Sequence, residues 1–346
     1  RSVCVAGISS KIQSRVSLVL CRLSCHRVRS MCGGDEDPPQ GAYSSPTCLQ
    51  PTAIDAATDG DLVVEKFPVT FEGYTYPHGR IAYVKGRQPR PVVLVHSNYA
   101  GLKQFDIDQA CFLAKAGYVG LAVDSYKENE SYKYEDRNPS ADEGAEKLKK
   151  HWVGAFGYMN EVLWAPRFWR ALMGHNLEMA FSHPAVARGR AGAIGYCLGG
   201  QACLEQLRAG HQLQSIVTFH GLLQSRPMYK DDPLNVMRRI TREEYYQEVD
   251  VPPTTCTPGC QVVIEHGALD DHVPAASIAE WVAEMDEHKV DWRLNTHSDT
   301  PHGWALAPQV TANKYRENAD RRSTRSMLDA FAQVWPDVKQ EPVETN

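Results

Sequence analysis

The chain has 346 residues, of which 42% are apolar and 23% charged, and its formal net charge is −5. This balance is typical of a soluble globular protein and lacks the basic footprint of a nucleic-acid binder. No apolar run approaches the ~20 residues that a membrane span needs. Ten cysteines are scattered along the chain rather than arranged as a disulfide scaffold, so free thiols are expected.

The first 60 residues differ in composition from the rest of the chain. Residues 1–30 contain six Lys or Arg and no acid, which is typical of an organelle transit peptide. Upstream translated sequence, with Met31 as the initiator, is the alternative. Residues 31–60 are rich in Gly, Pro, Ser and Asp, as a disordered linker is. We therefore predict a leader over 1–60, an ordered domain over 61–338 and a tail over 339–346.

Regular patterns begin near residue 61. Residues 62–85 alternate apolar and polar positions around a turn signal at Pro77-His78-Gly79, which predicts antiparallel hairpin strands at a sheet edge. Short apolar runs then alternate with helical spacing, which predicts a doubly wound, mostly parallel sheet with an antiparallel N-terminal edge. The expected parallel strands are 91–96, 118–124, 190–197, 215–221, 261–267 and 290–297. The expected helices are 104–117, 138–156, 158–182, 199–210, 276–288 and 322–335.

Residues 222–258 have no clear periodicity. The stretch is long for a connection inside a compact domain. Two interpretations of this stretch remain open: a cap over a pocket, or an ordinary surface loop.

A cysteine stands between glycines where the third parallel strand ends. In GYCLGG, Cys197 follows Gly195 by two residues and precedes Gly199 by two. A sharp strand-to-helix turn needs glycine at both positions, and it holds its central residue in a strained conformation above the sheet. The helix N-terminus behind it favours thiolate, and the Leu198 backbone N–H would face an oxyanion. These features predict that Cys197 is a nucleophile, with a buried thiol in a tight turn as the alternative.

An acid and a base follow the last two parallel strands. Asp270 lies in the loop after the fifth strand and could orient a histidine; Asp271 and an N-cap role are the alternatives. His302 follows the sixth strand and could take the thiol proton and return it to the leaving group, with His297 as the competitor. Because nucleophile, acid and base each follow a strand of one sheet, we expect them to converge. His272 is interpreted as structural or surface.

The loop after the first parallel strand is expected to complete the site. In HSNYAGL, the Tyr99 backbone N–H is the candidate for the second oxyanion donor. Asn98 and Ser97 are candidates for lining the substrate pocket. A simple glycine-containing turn is the alternative.

Six stretches together resemble the dienelactone hydrolase family of α/β-hydrolases. They are VVLVHSNYAGL, AKAGYVGLAVDSY, AGAIGYCLGG, SIVTFHG, VVIEHGALDDHVP and TPHGWA, and the resemblance covers roughly residues 62–335. It implies an α/β-hydrolase fold and cleavage of small esters or lactones through an acyl-thioester, with Cys197 as nucleophile, Asp270 as acid and His302 as base. We accordingly expect no cofactor, no metal, no nucleic-acid or membrane partner, and a monomer or weak dimer. The expected compartment is the cytoplasm, or a mitochondrion or plastid if residues 1–30 are a transit peptide.

Two positions depart from the family pattern. Asn98 stands where many members carry a Glu that holds the resting thiol, and an amide cannot accept a proton as a carboxylate can. Leu306 stands where members that cleave dienelactones use an arginine for the substrate carboxylate. An uncharged ester, lactone or thioester is therefore as good a substrate prediction as a dienelactone.

The sequence suggests three other interpretations. The scaffold could serve as a thiol sensor in which Cys197 is oxidised rather than acylated. The cysteine pairs in CRLSCH (21–26) and CTPGC (256–260) have zinc-like spacing but lie far apart in the chain. A dinucleotide-binding fold is disfavoured because no G-x-G-x-x-G follows the first parallel strand.

Overall fold

A computed structural model of the chain describes residues 49–51, 61–130, 132–137, 144–227, 229–231, 237–306, 313–340 and 343–345. The strands are β1 (Leu49–Pro51), β2 (Leu62–Lys66), β3 (Val69–Phe71), β4 (Tyr74–Tyr76), β5 (Arg80–Val84), β6 (Arg90–His96), β7 (Val119–Ala122), β8 (Val186–Tyr196), β9 (Ser215–Phe219), β10 (Tyr229–Asp231), β11 (Met237–Arg239), β12 (Gln261–Leu269), β13 (Asp291–Pro301) and β14 (Val343–Thr345). The helices are α1 (Gln104–Lys115), α2 (Gly144–Leu163), α3 (Pro166–Phe181), α4 (Leu198–Arg208), α5 (Arg242–Glu248), α6 (Ala275–Glu287) and α7 (Glu317–Val334).

One eight-stranded sheet organises the domain. Its strand order is β13-β12-β9-β8-β6-β7-β5-β2. The six strands from β13 to β7 are parallel, whereas β5 pairs antiparallel with both β7 and β2. The predicted doubly wound, mostly parallel sheet with an antiparallel N-terminal edge is confirmed.

Both faces of the sheet are covered, and the sequence of β6 shows why. Alternate side chains of a strand point to opposite faces, and Val92 and Leu94 join one buried apolar cluster while Val93 and Val95 join a second. All four are fully buried. A strand with two buried faces must be apolar at every position, which is the continuous run that the sequence displays.

A chain of buried charges links three of the helices. Arg170 of α3 donates to Glu205 of α4 at 2.7 Å, Glu205 accepts from Arg208 at 3.0 Å, and Arg208 also donates to Glu284 of α6 at 2.8 Å. All four residues are buried. Arg208 also donates to the Leu223 carbonyl, so this network anchors the start of the 222–258 stretch.

Several element boundaries differ from the predictions. The N-terminal hairpin turns at Glu72-Gly73, where both residues have positive φ, rather than at Pro77-His78-Gly79. The helices predicted over 138–156 and 158–182 are α2 and α3. Their break lies just before Pro166, whose ring suits the first turn of a helix, and Gly157 continues α2.

Two further stretches are more ordered than predicted. The 222–258 stretch carries α5 and the two-stranded β10–β11 ribbon. Part of the predicted leader, β1, pairs antiparallel with part of the predicted tail, β14. Residues 1–48 and 52–60 lie outside the described residues. No helix in the described part of the chain is both long and apolar enough to cross a membrane.

Candidate active site

The site lies where the strand order reverses. From β6 the chain first adds β7 on one side and then crosses to add β8 on the other. His96 at the end of β6 is paired with Gly195 near the end of β8, so the loops that follow these two strands face one crevice. In open α/β sheets, ligands bind at this kind of switch point, beyond the carboxyl ends of the strands.

Cys197 occupies the turn between β8 and α4. Its φ is 57° and its ψ is −114°, a strained conformation for a non-glycine residue. A Cβ added to Gly195 would collide with the backbone of Gly199, and one added to Gly199 would collide with the carbonyl of His96. Both glycines are therefore required by the close approach of strand, turn and helix.

The turn places Cys197 at the N-terminus of α4, and the residue is 7% exposed. Leu198 is the first residue of the helix, so its backbone N–H has no intrahelical acceptor. A partial positive charge at this helix end would stabilise an oxyanion that forms next to Cys197.

Asp270 and His302 meet at the carboxyl ends of β12 and β13. His302 Nδ1 donates to Asp270 Oδ2 at 2.8 Å, and both side chains are buried. His302 Nε2 is also buried and lies beside the Cys197 thiol, without a regular hydrogen bond to any residue that the structure describes. Catalytic hydrogen bonds are often long in a resting site and tighten in the substrate complex.

The electrostatics of this array favour a protonated His302. Burial alone would lower the pKa of His302, but the charges of Asp270 and Cys197 raise it to about 10. Burial would likewise raise the pKa of Asp270, but His302 and two neighbouring imidazoles hold it well below its usual range. The array therefore suits an imidazolium between a carboxylate and a sulfur.

The loop after β6 is held in place by its own polar contacts. Asn98 Oδ1 accepts from the Ala100 N–H and from Lys103 Nζ, both at 3.0 Å. The Tyr99 carbonyl accepts from the Tyr126 hydroxyl at 2.9 Å. Asn98 thus organises the loop that the sequence predicts to carry an oxyanion donor.

Aromatic side chains cover this loop. The Tyr99 ring stacks on Trp152 with ring centroids 5.6 Å apart, and on Phe156 at 5.4 Å. Both partners belong to α2 and are only partly buried. They join the apolar cluster that also contains Cys197.

The structure separates the alternatives that the sequence left open. It joins His302 to Asp270, whereas the Asp271 side chain is 81% exposed and contacts His272 instead. The competitor His297 belongs to β13 and lies 2.7 Å from Glu265 through Nε2. Ser97 is partly exposed, and its carbonyl lies at the turn around Gly199. Leu306 is buried among apolar side chains.

Two histidines near the base were not identified from the sequence. The His272 ring lies parallel to the His302 ring, with centroids 4.2 Å apart and an interplanar angle of 8°. The fully buried His220 ring meets His302 edge-on at 4.9 Å and 70°. The interpretation of His272 as structural or surface missed this contact. The available signals were the position of His220 directly after β9 and of His272 two residues after Asp270.

Asp270, His272 and His302 also offer three potential metal ligands within 4.8 Å of one another. The lone pairs of an imidazole lie in its ring plane, and two parallel stacked rings cannot direct them to one ion at ~2.0–2.1 Å. Moreover, the Nδ1 atoms of both histidines already bind carboxylates. This geometry suits hydrogen bonding rather than metal binding. One of the two cysteine pairs with zinc-like spacing, Cys256 and Cys260, consists of buried thiols. The other pair, in residues 21–26, lies outside the described residues.

The sheet, its crevice and the strained turn together define a hydrolase of the α/β-hydrolase fold. The profile of the Dienelactone hydrolase family matches residues 78–335, and the chain belongs to this family.

Solved structures of similar proteins share the fold. A promiscuous, dienelactone hydrolase-like phosphotriesterase, P91 from metagenomic libraries, is 23% identical, with a TM-score of 0.56 over 80% of this chain and 99% of its own. A putative dienelactone hydrolase from Klebsiella pneumoniae is 18% identical, with a TM-score of 0.53 over 79% and 99%. The Porphyromonas gingivalis dipeptidyl peptidase 4 is 15% identical, with a TM-score of 0.50 over 77% and 35%. At these identities, the comparisons establish a common fold but not which bond this protein cleaves.

Proposed function

We propose that the protein hydrolyses small uncharged carboxylic esters, lactones or thioesters, with Cys197 as nucleophile, His302 as acid and base, and Asp270 as the residue that orients His302. The observation that carries this proposal is the array itself: a 2.8 Å bond between Asp270 and His302 beside a cysteine in a strained turn. Nucleophile, acid and base follow one another in the chain order of the triad of this fold, with cysteine in place of serine.

In the first half-reaction, the Cys197 sulfur attacks the acyl carbon and the carbonyl oxygen becomes an oxyanion. The backbone N–H groups of Leu198 and Tyr99 are the proposed donors to that oxygen. His302 then protonates the departing alkoxide, which leaves an acyl-thioester and a neutral imidazole. In the second half-reaction His302 takes a proton from water, the hydroxide attacks the thioester, and the acid is released as the sulfur recovers its charge.

The apolar surroundings of the sulfur support an uncharged acyl group. Tyr99, Leu222 and Leu223 share the buried apolar cluster of Cys197. Leu306, at the position where the resemblance suggests an arginine, is buried with Trp304 in a second apolar cluster. A substrate carboxylate next to these side chains would lose its hydration, and Leu306 offers it no positive charge in place of the arginine.

The proposal is tested by pre-steady-state hydrolysis of p-nitrophenyl acetate. The expected result is a burst of one p-nitrophenolate per chain, an acetyl adduct on the Cys197 peptide by mass spectrometry, and loss of both in Cys197→Ala. Cys111→Ala is the matched control, since Cys111 is a partly exposed thiol on α1 whose pKa is raised by burial to about 11. Full turnover in Cys197→Ala would overturn the proposal, and no turnover by the unmodified protein on any ester, lactone or thioester would favour the thiol-sensor alternative.

A further inference from the structure

We propose that His272 and His220 act as positioning residues that contact the His302 ring and restrict its orientation, a pair we name the imidazole clamp. The inference rests on the proposed function, because His302 is the base of that reaction. His272 lies flat on one face of the ring at 4.2 Å, and His220 meets it edge-on at 4.9 Å.

The His302 ring needs such support because one hydrogen bond does not fix a planar ring. The bond from Nδ1 to Asp270 leaves the ring free to swing about that atom, and the swing would move Nε2 away from Cys197. The parallel His272 ring blocks the swing toward the face that it covers, and the contact with the nearly perpendicular His220 ring restricts the motion further. Because misplacement of a catalytic group by about 1 Å can reduce rate by about 100-fold, this restriction matters for catalysis.

Each member of the clamp is anchored independently of His302. The backbone N–H of His272 donates to Asp270 Oδ1 at 2.9 Å, and the ring Nδ1 of His272 lies 2.7 Å from Asp271 Oδ1. The backbone N–H of His220 donates to the Glu265 carbonyl at 2.9 Å.

The His220 site carries two unfavourable features that packing alone does not require. Its φ is +42°, an uncommon value for a residue with a side chain. Neither ring nitrogen has a hydrogen-bond partner within the described residues, although the side chain is fully buried. Features of this kind persist where the surrounding structure over-determines them, and they cluster at functional sites.

The charge states of the three rings are complementary. Burial and the nearby His302 charge lower the pKa of His272 to about 4, and the same causes lower that of His220 well below its ordinary value. At neutral pH the clamp therefore presents neutral rings to the His302 imidazolium. The face of the neutral His272 ring attracts the His302 imidazolium, whereas a second imidazolium would repel it. The titratable groups that act on this set are Cys197, Asp270, Asp271, His220, His266, His272 and His302.

The decisive experiment compares His272→Ala with His272→Phe in the full chain. Phe keeps a flat ring over His302, whereas Ala removes it. We expect His272→Ala to lower kcat for p-nitrophenyl acetate roughly 10- to 100-fold with KM changed less than about twofold, and His272→Phe to recover most of this loss. His288→Ala, a partly exposed histidine at the end of α6, is the matched control and is expected to retain wild-type kcat.

Two further measurements separate positioning from a general loss of structure. The alkaline limb of kcat is expected at lower pH in His272→Ala than in the parent, because the imidazolium has lost a stabilising neighbour. His220→Asn tests the second ring, since Asn tolerates positive φ. It is expected to lower kcat while the thermal unfolding midpoint stays within a few degrees.

The clamp is refuted if His272→Ala keeps the kcat and alkaline limb of the parent, or if His272→Phe is as slow as His272→Ala. Failure of the proposed function is distinguishable, because it appears as turnover that survives Cys197→Ala. Alkylation of Cys197 by iodoacetamide at neutral pH reports on the sulfur–imidazole pair without any substrate. It is expected to be slower in His272→Ala than in His272→Phe.

Discussion

Replacing Asp270 by asparagine removes one charge and leaves the shape of the site nearly unchanged. The carboxylate is buried and accepts the His302 Nδ1 hydrogen at 2.8 Å. The substituted amide can donate as well as accept, so it also permits the wrong imidazole tautomer. We expect Asp270→Asn to reduce kcat for p-nitrophenyl acetate by about 10²–10⁴-fold.

The lower end of that range follows from the electrostatics. The rise in the pKa of His302 from 6.5 to about 10 corresponds to roughly 5 kcal/mol of preference for the imidazolium. Burial opposes this preference for the imidazolium. The charge of Asp270 favours the imidazolium more strongly than that of Cys197 does. Since Asp270 is the larger of the two contributions, loss of its charge should cost on the order of 3 kcal/mol, which is about 100-fold in rate. Loss of the correct tautomer accounts for the remainder of the range.

The assay is the pH dependence of kcat, with Asp271→Asn as the matched control. Since the folded pKa of His302 is raised, its imidazolium should persist until the pH approaches 10, where the acid that protonates the leaving group is lost. Asp270→Asn should move this alkaline limb to lower pH and lower kcat. Asp271→Asn keeps an oxygen that can accept from His272, and its side chain is largely exposed, so kcat should change less than about threefold. Equal losses in the two variants would refute the reasoning.

The same pair should make stability depend on pH. A raised histidine pKa stabilises the folded state fully below 6.5, and this stabilisation is lost as the pH rises toward 10. A lowered aspartate pKa stabilises above 3.8, and that stabilisation is lost as the pH falls further. Urea unfolding should therefore give a free energy that declines between pH 6.5 and 10 in the parent and declines less in Asp270→Asn. Parallel curves for the two proteins would contradict this assignment.

Two further substitutions, each with a matched control substitution, test the turn and the loop. Gly199→Ala should abolish the p-nitrophenyl acetate burst, since its Cβ would collide with a carbonyl of β6. Gly157→Ala is its matched control, because a Cβ at this position would have no other atom within 4 Å. This variant should keep full activity and stabilise α2 by up to ~1 kcal/mol. Tyr126→Phe removes the hydroxyl that holds the Tyr99 carbonyl and should lower kcat about fivefold, equivalent to ~1 kcal/mol, at constant KM. Tyr158→Phe loses a hydroxyl without a partner among the described residues and should leave kcat unchanged. An active Gly199→Ala, or equal effects of the two tyrosine variants, would contradict these assignments.

The sequence was most informative where a strand has two buried faces. Such strands are apolar throughout, so β6, β8 and β12 could be recognised, and the residues that follow them could be placed at one edge of the sheet. The convergence of Cys197, Asp270 and His302 follows from that topology rather than from any local motif.

Boundaries were less predictable where polar residues continue an element. Strand β13 runs to Pro301, beyond the predicted end at residue 297, because as the outer strand it pairs only with β12 and tolerates polar side chains. Helix α7 begins at Glu317 rather than at residue 322, since its first turn is polar and carries no apolar spacing.

The imidazole clamp could not be predicted because ring contacts depend on side-chain rotamers and on the twist between strands. His220 and His272 are separated by some fifty residues and follow different strands. Spacing along the chain indicates that both lie at the same edge of the sheet, but not that they contact the same ring.

The buried charge network of Arg170, Glu205, Arg208 and Glu284 has a consequence for how this protein can diverge. Loss of one member would leave an opposite charge buried without a partner, which would lower the free energy of unfolding by about 3–5 kcal/mol. Replacement should therefore occur in compensating pairs, so that a relative lacking Arg208 also lacks an acid facing it from α4 or α6. The stretch attached to this network can vary in length and composition between relatives, while the positions that secure it are expected to co-vary.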